Sequence, residues 1–203
     1  VTGVQTCALP IFRFQKASDV AVFFADDEVS SQLALNSAST TKYSYGLSGD
    51  VSFSDEKIMA FGQEVINTSE VGLPGPHNLQ NICAAIAGVW DYTDDVNIIA
   101  QAVKNFKGLP YHIELVANNN GIRYYNDSFS TNPTSAIAAI RSFSSPQVLF
   151  LGGFDKQADF TQLADEIKKH SIRHIITFGQ TGAKIFESLK KAGIKQRSEE
   201  HTS

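Results

Sequence analysis

Apolar positions along this chain fall into two patterns. Short continuous runs such as Val20 to Ala25, Val148 to Leu151 and Ile172 to Phe178 have strand length and stop abruptly at Gly or Asp. Between them, apolar residues recur three and four apart, the spacing of one helix face. Asp26-Asp27-Glu28 supplies cap residues for a helix reaching about Asn36. Tyr43 to Gly46, Val51 to Phe53 and Lys57 to Phe61, within a stretch ending at Ile66, are divided by Gly, Ser and Asp, which predicts a small antiparallel ribbon. Asn78 to Trp90 predicts a helix with Ile82, Ile86 and Val89 on one side and Ala84, Ala85 and Gly88 permitting close approach on another. A further helix, capped by Asp94, turns Val96, Ile99, Val103 and Phe106 inward and stops at Gly108 and Pro110.

The Gly108-Leu109-Pro110 break is read as a domain boundary. Beyond it, His112 to Ala117 and Ile122 to Tyr125 flank Asn118-Asn119-Asn120-Gly121, a hairpin signal. Asn132 then caps a helix with Pro133 at its first position and Ile137 and Ile140 inward. The strand Val148 to Leu151 follows, then a helix carrying Phe160, Leu163 and Ile167. The strand Ile172 to Phe178 leads to a helix from about Thr181 to Ala192 with Ile185 and Leu189 inward. Such alternation predicts an α/β fold with a Rossmann-like parallel sheet and right-handed crossovers.

Composition narrows the function. The 203 residues are 42% hydrophobic, enough for a packed core, and the net charge of −4 with dispersed Lys and Arg argues against a nucleic-acid surface. Two cysteines, Cys7 and Cys83, make neither a disulfide framework nor a metal knuckle; Cys83 lies in an apolar helix pattern and is expected to be a buried thiol. No apolar run has the length to span a bilayer, and a cytoplasmic location is expected. The stretches 1–11 and 197–203 resemble translated sequencing-adapter read-through. They are treated as a non-native leader and tail and left out of the fold reading.

Polar clusters follow several apolar runs. Asn126-Asp127-Ser128-Phe129-Ser130-Thr131-Asn132 follows one strand and Gly152-Gly153-Phe154-Asp155-Lys156 another. Both are expected at the carboxyl ends of neighbouring parallel strands, where open α/β sheets bind ligands. Asp127 could hold a ribose hydroxyl or Mg²⁺, the alternative being an Asx turn. Gly152-Gly153 permits close backbone approach to a ligand and Lys156 brings a charge for a carboxylate or phosphate. Asn78 and Asn81, three apart at a helix start, could meet an anion or a base, with capping the plainer role for Asn78. His77 beside them reads as capping or packing, Asp26-Asp27 as helix caps, and Lys168-Lys169-His170 as a solvated face. The sequence contains no Gly-x-x-x-x-Gly-Lys-Ser/Thr loop.

Taken in order, Gly75 to Asn81 with Ala84-Ala85, Phe106 to Pro110 with Glu114, Asn126-Asp127-Ser128 with Thr131-Asn132, and Leu151-Gly152-Gly153 with Asp155-Lys156 and Ala158-Asp159-Phe160 resemble the Mur ligases. The Asn-Asp-Ser and Gly-Gly-x-Asp-Lys-x-x-Asp-Phe signatures point to the D-glutamate-adding branch. The resemblance implies a remnant of a central ATPase domain over 12–107 and a truncated Rossmann-like C-terminal domain over 108–196. It implies ATP and Mg²⁺ as cofactors and amide formation through an acyl phosphate. UDP-N-acetylmuramoyl-L-alanine and D-glutamate would be the substrates, the protein a monomer, and neither nucleic acid nor membrane a partner. Asn78, Asn81, His112 and Asp127 would contact ATP, and Thr131 and Lys156 the D-glutamate carboxylates. No catalytic residue and no metal ligand is assigned within the chain. Two positions depart from the family pattern: His112 stands where Arg is usual and Phe129 where Lys is common. The alternatives are another Mur-type ligase, a folylpolyglutamate synthase, or a nucleotide-binding Rossmann module without chemistry.

Overall fold

The structure, a computed structural model, describes residues 11–194 and the backbone of 198–201. Of the expected leader all but Ile11 lies outside the described residues, as do parts of the tail. The chain divides into two compact units, one ending at Lys107 and the other starting at Gly108.

The first unit runs β1 (Val20–Phe24), α1 (Glu28–Leu35), β2 (Thr41–Gly46), β3 (Val51–Phe53), β4 (Lys57–Ala60), β5 (Gln63–Asn67), α2 (Pro76–Val89) and α3 (Val96–Asn105). Its strands form one sheet in chain order, β1 to β5. Asp27 caps α1 by accepting from the Ser30 amide, while Asp26 turns away and accepts from the Leu47 amide. Because α1 carries the chain back along the sheet, β2 runs parallel to β1, with Val22 opposite Tyr43. The expected antiparallel ribbon is therefore correct only from β3 to β5; β2 is parallel to both its neighbours. The turn into β3 presses against β2, and a Cβ at Gly49 would stand 2.6 Å from Tyr45 Cα.

One face of α2 buries Ile82, Cys83, Ile86 and Ala87 in a core with Val51, Ile58, Ala60, Val65, Ile66 and Ile99. Val89, expected inward, is exposed, because at the last turn Trp90 takes over the packing and stacks on Phe61 at 4.6 Å. Ala85 and Gly88 face solvent, and a Cβ at Gly88 would meet nothing within 4 Å, so the small-residue face approaches nothing in this unit. Asp95, not Asp94, caps α3, accepting from the Asn97 and Ile98 amides. Phe106 is exposed because the chain leaves the helix there in an extended conformation. The Cys83 side chain is fully buried, and burial pushes its thiol up to about 12. Thiolate is the reactive species. In a Cys7→Ser chain, a thiol reagent at pH 8 should leave Cys83 unmodified until denaturant is added, as followed by absorbance.

The second unit contains β6 (Glu114–Asn119), β7 (Ile122–Asn126), α4 (Pro133–Arg141), β8 (Gln147–Gly152), α5 (Thr161–Ile167), β9 (Ile172–Phe178), α6 (Gly182–Lys191) and β10 (Ser198–His201). Asn120 and Gly121, at φ 50° and 80°, turn β6 into β7, both residues adopting the left-handed backbone that a two-residue hairpin turn requires. Strands β8, β9 and β10 form a separate, wholly parallel sheet in the order β10-β9-β8. The core joins Ile140 of α4, Leu163, Ala164 and Ile167 of α5, Ile172 and Ile175 of β9, and Ile185 and Leu189 of α6. No helix among the described residues is long and apolar enough to cross a membrane.

Inside this unit lies a buried carboxylate. Glu166 is 5% exposed and accepts two hydrogen bonds from Arg141 at 2.8 Å each, one from Lys169 at 3.1 Å and one from His170 at 3.1 Å. Lys169 and His170 are thus not a purely solvated face: the last turn of α5 folds them back onto the acid it buries. The Arg141 guanidinium, then the His170 and Lys169 bonds, hold the Glu166 carboxyl far below its ordinary value. A depressed folded-state value contributes stability that is complete above the unfolded carboxylate range, about 4.3, and drains away as pH falls below it. Glu166→Gln should lower stability at pH 7 by about 1–3 kcal/mol, since it leaves Arg141 with a neutral partner. The gap from wild type should close as pH is lowered toward 3, measured by thermal melts across pH.

Candidate functional site

In the first unit Gly75, at φ 91°, precedes α2, and Pro76 occupies its first position. Asn78 donates from Nδ2 to the Pro74 carbonyl at 2.7 Å, so this amide staples the turn while its Oδ1 stays open. Asn81, three residues on and on the same side, is exposed.

In the second unit the segment before β6 is strained. Tyr111 and Ile113 have φ of 66° and 47°, and Ile113 is buried. A β-branched residue at positive φ is an outlier that its surroundings must enforce. Asp127, directly after β7, does this by accepting from the Ile113 amide at 3.0 Å through Oδ1, while its Oδ2 accepts from Ser130 Oγ. Glu114 accepts from the Tyr111 amide at 2.8 Å, and the Phe129 amide donates to the Tyr111 carbonyl at 3.1 Å. The His112 ring stacks on Phe129 with centroids 4.3 Å apart, and its Nδ1 lies 3.0 Å from the Pro110 carbonyl. A carbonyl only accepts, so Nδ1 carries a hydrogen and donates it. The Asx turn expected of Asp127 is made instead by Asn126, whose Oδ1 accepts from the Ser128 amide at 3.1 Å; each Asp127 oxygen, with one hydrogen bond accepted, keeps a lone pair for a ligand. Thr131 is exposed beside Asn132, which caps α4 by accepting from the Ser135 amide at 2.9 Å.

Lys156 sits in a different loop, exposed, between β8 and α5. Strand β7 is hydrogen-bonded only to β6, so the Asp127 and Lys156 clusters do not follow adjacent parallel strands as expected. The short Asn120-Gly121 turn folds β7 back onto β6 and commits that edge locally. The two clusters share no hydrogen bond or ion pair. Gly152 has a role other than ligand approach: a Cβ there would stand 2.2 Å from the Phe178 carbonyl oxygen, so β8 and β9 close only over a glycine. Gly153, at φ 143° with open space beside it, keeps the permissive role.

Two residues of this edge escaped the sequence reading. Gln180 Oε1 accepts from the Asp155 amide at 3.4 Å, and Lys184 pairs with the Asp155 carboxylate, holding it below the usual carboxylate range. The signal was present: a lysine in the first turn of α6 opposes the helix dipole, which calls for an anion nearby. Among the described residues no three His, Cys, Asp or Glu side chains cluster to hold a metal ion.

Each of two known family domains falls, in the sequence, within one of the two units. Residues 3–89 match the Mur ligase middle domain and residues 113–203 the Mur ligase glutamate ligase domain, and the chain belongs to the Mur ligase family. It is 38% identical over 133 residues to the UDP-N-acetylmuramoylalanine--D-glutamate ligase of Caldicellulosiruptor bescii, covering 66% of this chain and 29% of that one. It is 32% identical over 195 residues to the enzyme of the same name from Alkaliphilus oremlandii, covering 92% and 42%. The chain thus spans less than half the length of these relatives. Among solved structures, MurF from Acinetobacter baumannii superposes with a TM-score of 0.81 at 17% identity, covering 99% of this chain and 46% of that one. Folylpolyglutamate synthase from Mycobacterium tuberculosis, complexed with ADP, gives 0.72 at 13% identity, covering 100% and 50%. Both likenesses speak to the fold.

Removing the Asp127 carboxylate should release the strained segment. Asp127→Ala is expected to cost about 1–3 kcal/mol, an unsatisfied amide plus backbone strain. Asp127→Asn, whose side-chain oxygen can still accept from the Ile113 amide, should lose less than Asp127→Ala in denaturant melts.

Proposed function

We propose that this chain forms the nucleotide- and amino-acid-binding part of an ADP-forming ligase that adds D-glutamate to UDP-N-acetylmuramoyl-L-alanine. The observation that carries the proposal is the pairing of the middle and glutamate ligase domains with relatives named for D-glutamate addition. In this reading Asn81, with the open Oδ1 of Asn78, meets the nucleotide, His112 contributes from the second unit, and Asp127 receives a ribose hydroxyl. Thr131 and Lys156 take the D-glutamate carboxylates. The reaction transfers the γ-phosphoryl group of ATP to the muramoyl-alanine carboxylate, releasing ADP. The D-glutamate amine then attacks the acyl carbon, loses a proton and expels phosphate as the amide bond forms. Mg²⁺ accompanies ATP and offsets the charge of the phosphates; no residue of this chain is assigned to hold it. Three anionic groups must meet, so each fixed cation bears directly on the rate. The protein would work as a monomer in the cytoplasm on small molecules.

The test uses the protein that joins this chain to a P-loop segment. Phosphate release should require both UDP-N-acetylmuramoyl-L-alanine and D-glutamate, with L-lysine, L-glutamate and D-alanyl-D-alanine giving only background. Lys156→Met should raise KM for D-glutamate about 10-fold or more, the loss of one charge-assisted contact, while KM for ATP stays near wild type. Turnover with another amino acid, or with a folate and L-glutamate, would overturn the assignment. The chain alone should release no phosphate.

A further inference from the structure

Lys156 has an acid as its immediate neighbour. Asp155 and Lys156 are adjacent in an exposed loop, and a carboxylate there competes with any anionic ligand for the ammonium. The structure resolves this competition through α6. Lys184 Nζ pairs with Asp155 Oδ2, while Asp155 Oδ1 accepts from the Gln157 amide at 2.8 Å. The loop is also tied down at two further points. The Thr181 amide and hydroxyl both donate to the Gly153 carbonyl, at 3.2 and 3.3 Å, and Gln180 accepts from the Asp155 amide. Gln157, at φ 59°, completes the tight turn around the acid. Both oxygens of Asp155 thus have partners other than Lys156, which has neither a hydrogen bond nor an ion pair among the described residues.

We infer that Lys184 is a positioning residue for the anion site at Lys156: by occupying Asp155 it leaves the Lys156 ammonium free for an incoming carboxylate. This deepens the ligase reading above and rests on it for the identity of the anion, but not for the charge relay itself. Lys184 need not touch the ligand. Its contribution is to offset the Asp155 charge, so that the adjacent Lys156 charge is not cancelled by it. The placement also explains why a lysine is tolerated in the first turn of a helix, against the dipole.

The relay can be read without any substrate. In the 203-residue chain, acylation of Lys156 by an N-hydroxysuccinimide ester is followed by peptide mass spectrometry against exposed Lys107. Lys184→Met should slow modification of Lys156 about 2- to 3-fold, the size of a surface ion pair newly formed with Asp155. Lys184→Arg should retain the wild-type rate, and adding Asp155→Asn to Lys184→Met should restore it. An unchanged rate in Lys184→Met would overturn the inference. So would an equal slowing in the double variant, since that reflects a disturbed loop and not a freed carboxylate. D-glutamate should protect Lys156 in wild type. Absence of that protection with the relay pattern intact would count against the ligase assignment alone.

Discussion

The hydrogen bond from the Ile113 amide to Asp127 is the constraint on which the second unit's candidate site depends. It joins the residue that enters β6 to the residue that leaves β7, closing the hairpin at the end opposite its turn. Without it, nothing compensates a buried isoleucine in left-handed backbone. With it, Tyr111 is placed to receive the Phe129 amide, and His112 is brought over the Phe129 ring. One carboxylate therefore fixes the conformation of both loops and retains lone pairs for a ligand. Both oxygens serve the loop, each through one hydrogen bond, and the proposed ribose contact would use a lone pair that remains.

Elsewhere in the unit, backbone and charge are settled by different means. The close approach of β8 and β9 at Gly152 brings the following loops together, and Thr181 and Gln180 then lock one to the other. Deeper in, the Arg141–Glu166 bridge holds α4 to α5 through two parallel hydrogen bonds, the geometry in which an arginine–carboxylate pair is strongest. A buried acid there has no ligand to meet. It ties α4 to α5 at the edge of the core they share with β9 and α6.

What the sequence disclosed follows the range of the interactions. The strand Ile172–Phe178 and the helix with Ile185 and Leu189 inward were legible because local periodicity decides them, and so were the Asn132 cap and the Asn120-Gly121 turn. That turn also announced the pairing of β6 with β7. Pairing between strands far apart in the chain was not legible: that β2 lies parallel between β1 and β3 depends on contacts that no local pattern encodes. The chemistry divided in the same way. Asp127 and Lys156 stand out in the sequence as charged residues after strands, whereas the partner of Lys184 and of Gln180 lies 29 and 25 residues away and is seen only in the structure.

The two departures from the family pattern illustrate how a pairwise fact hides in a linear string. Seen separately, His112 where the family pattern has an arginine and Phe129 where it has a lysine each read as the loss of a permanent cation beside the proposed nucleotide site. In the structure the two rings stack on each other at 4.3 Å, with an interplanar angle of 30°. An arginine and a lysine so close would repel, and would have to be held apart by ligand or solvent. A histidine and a phenylalanine attract, and they bind the two loops together in the absence of any anion. The aromatic contact thus sets the relation of the two loops by itself: whatever anion the proposed site receives would meet loops already held together and would not have to organise them.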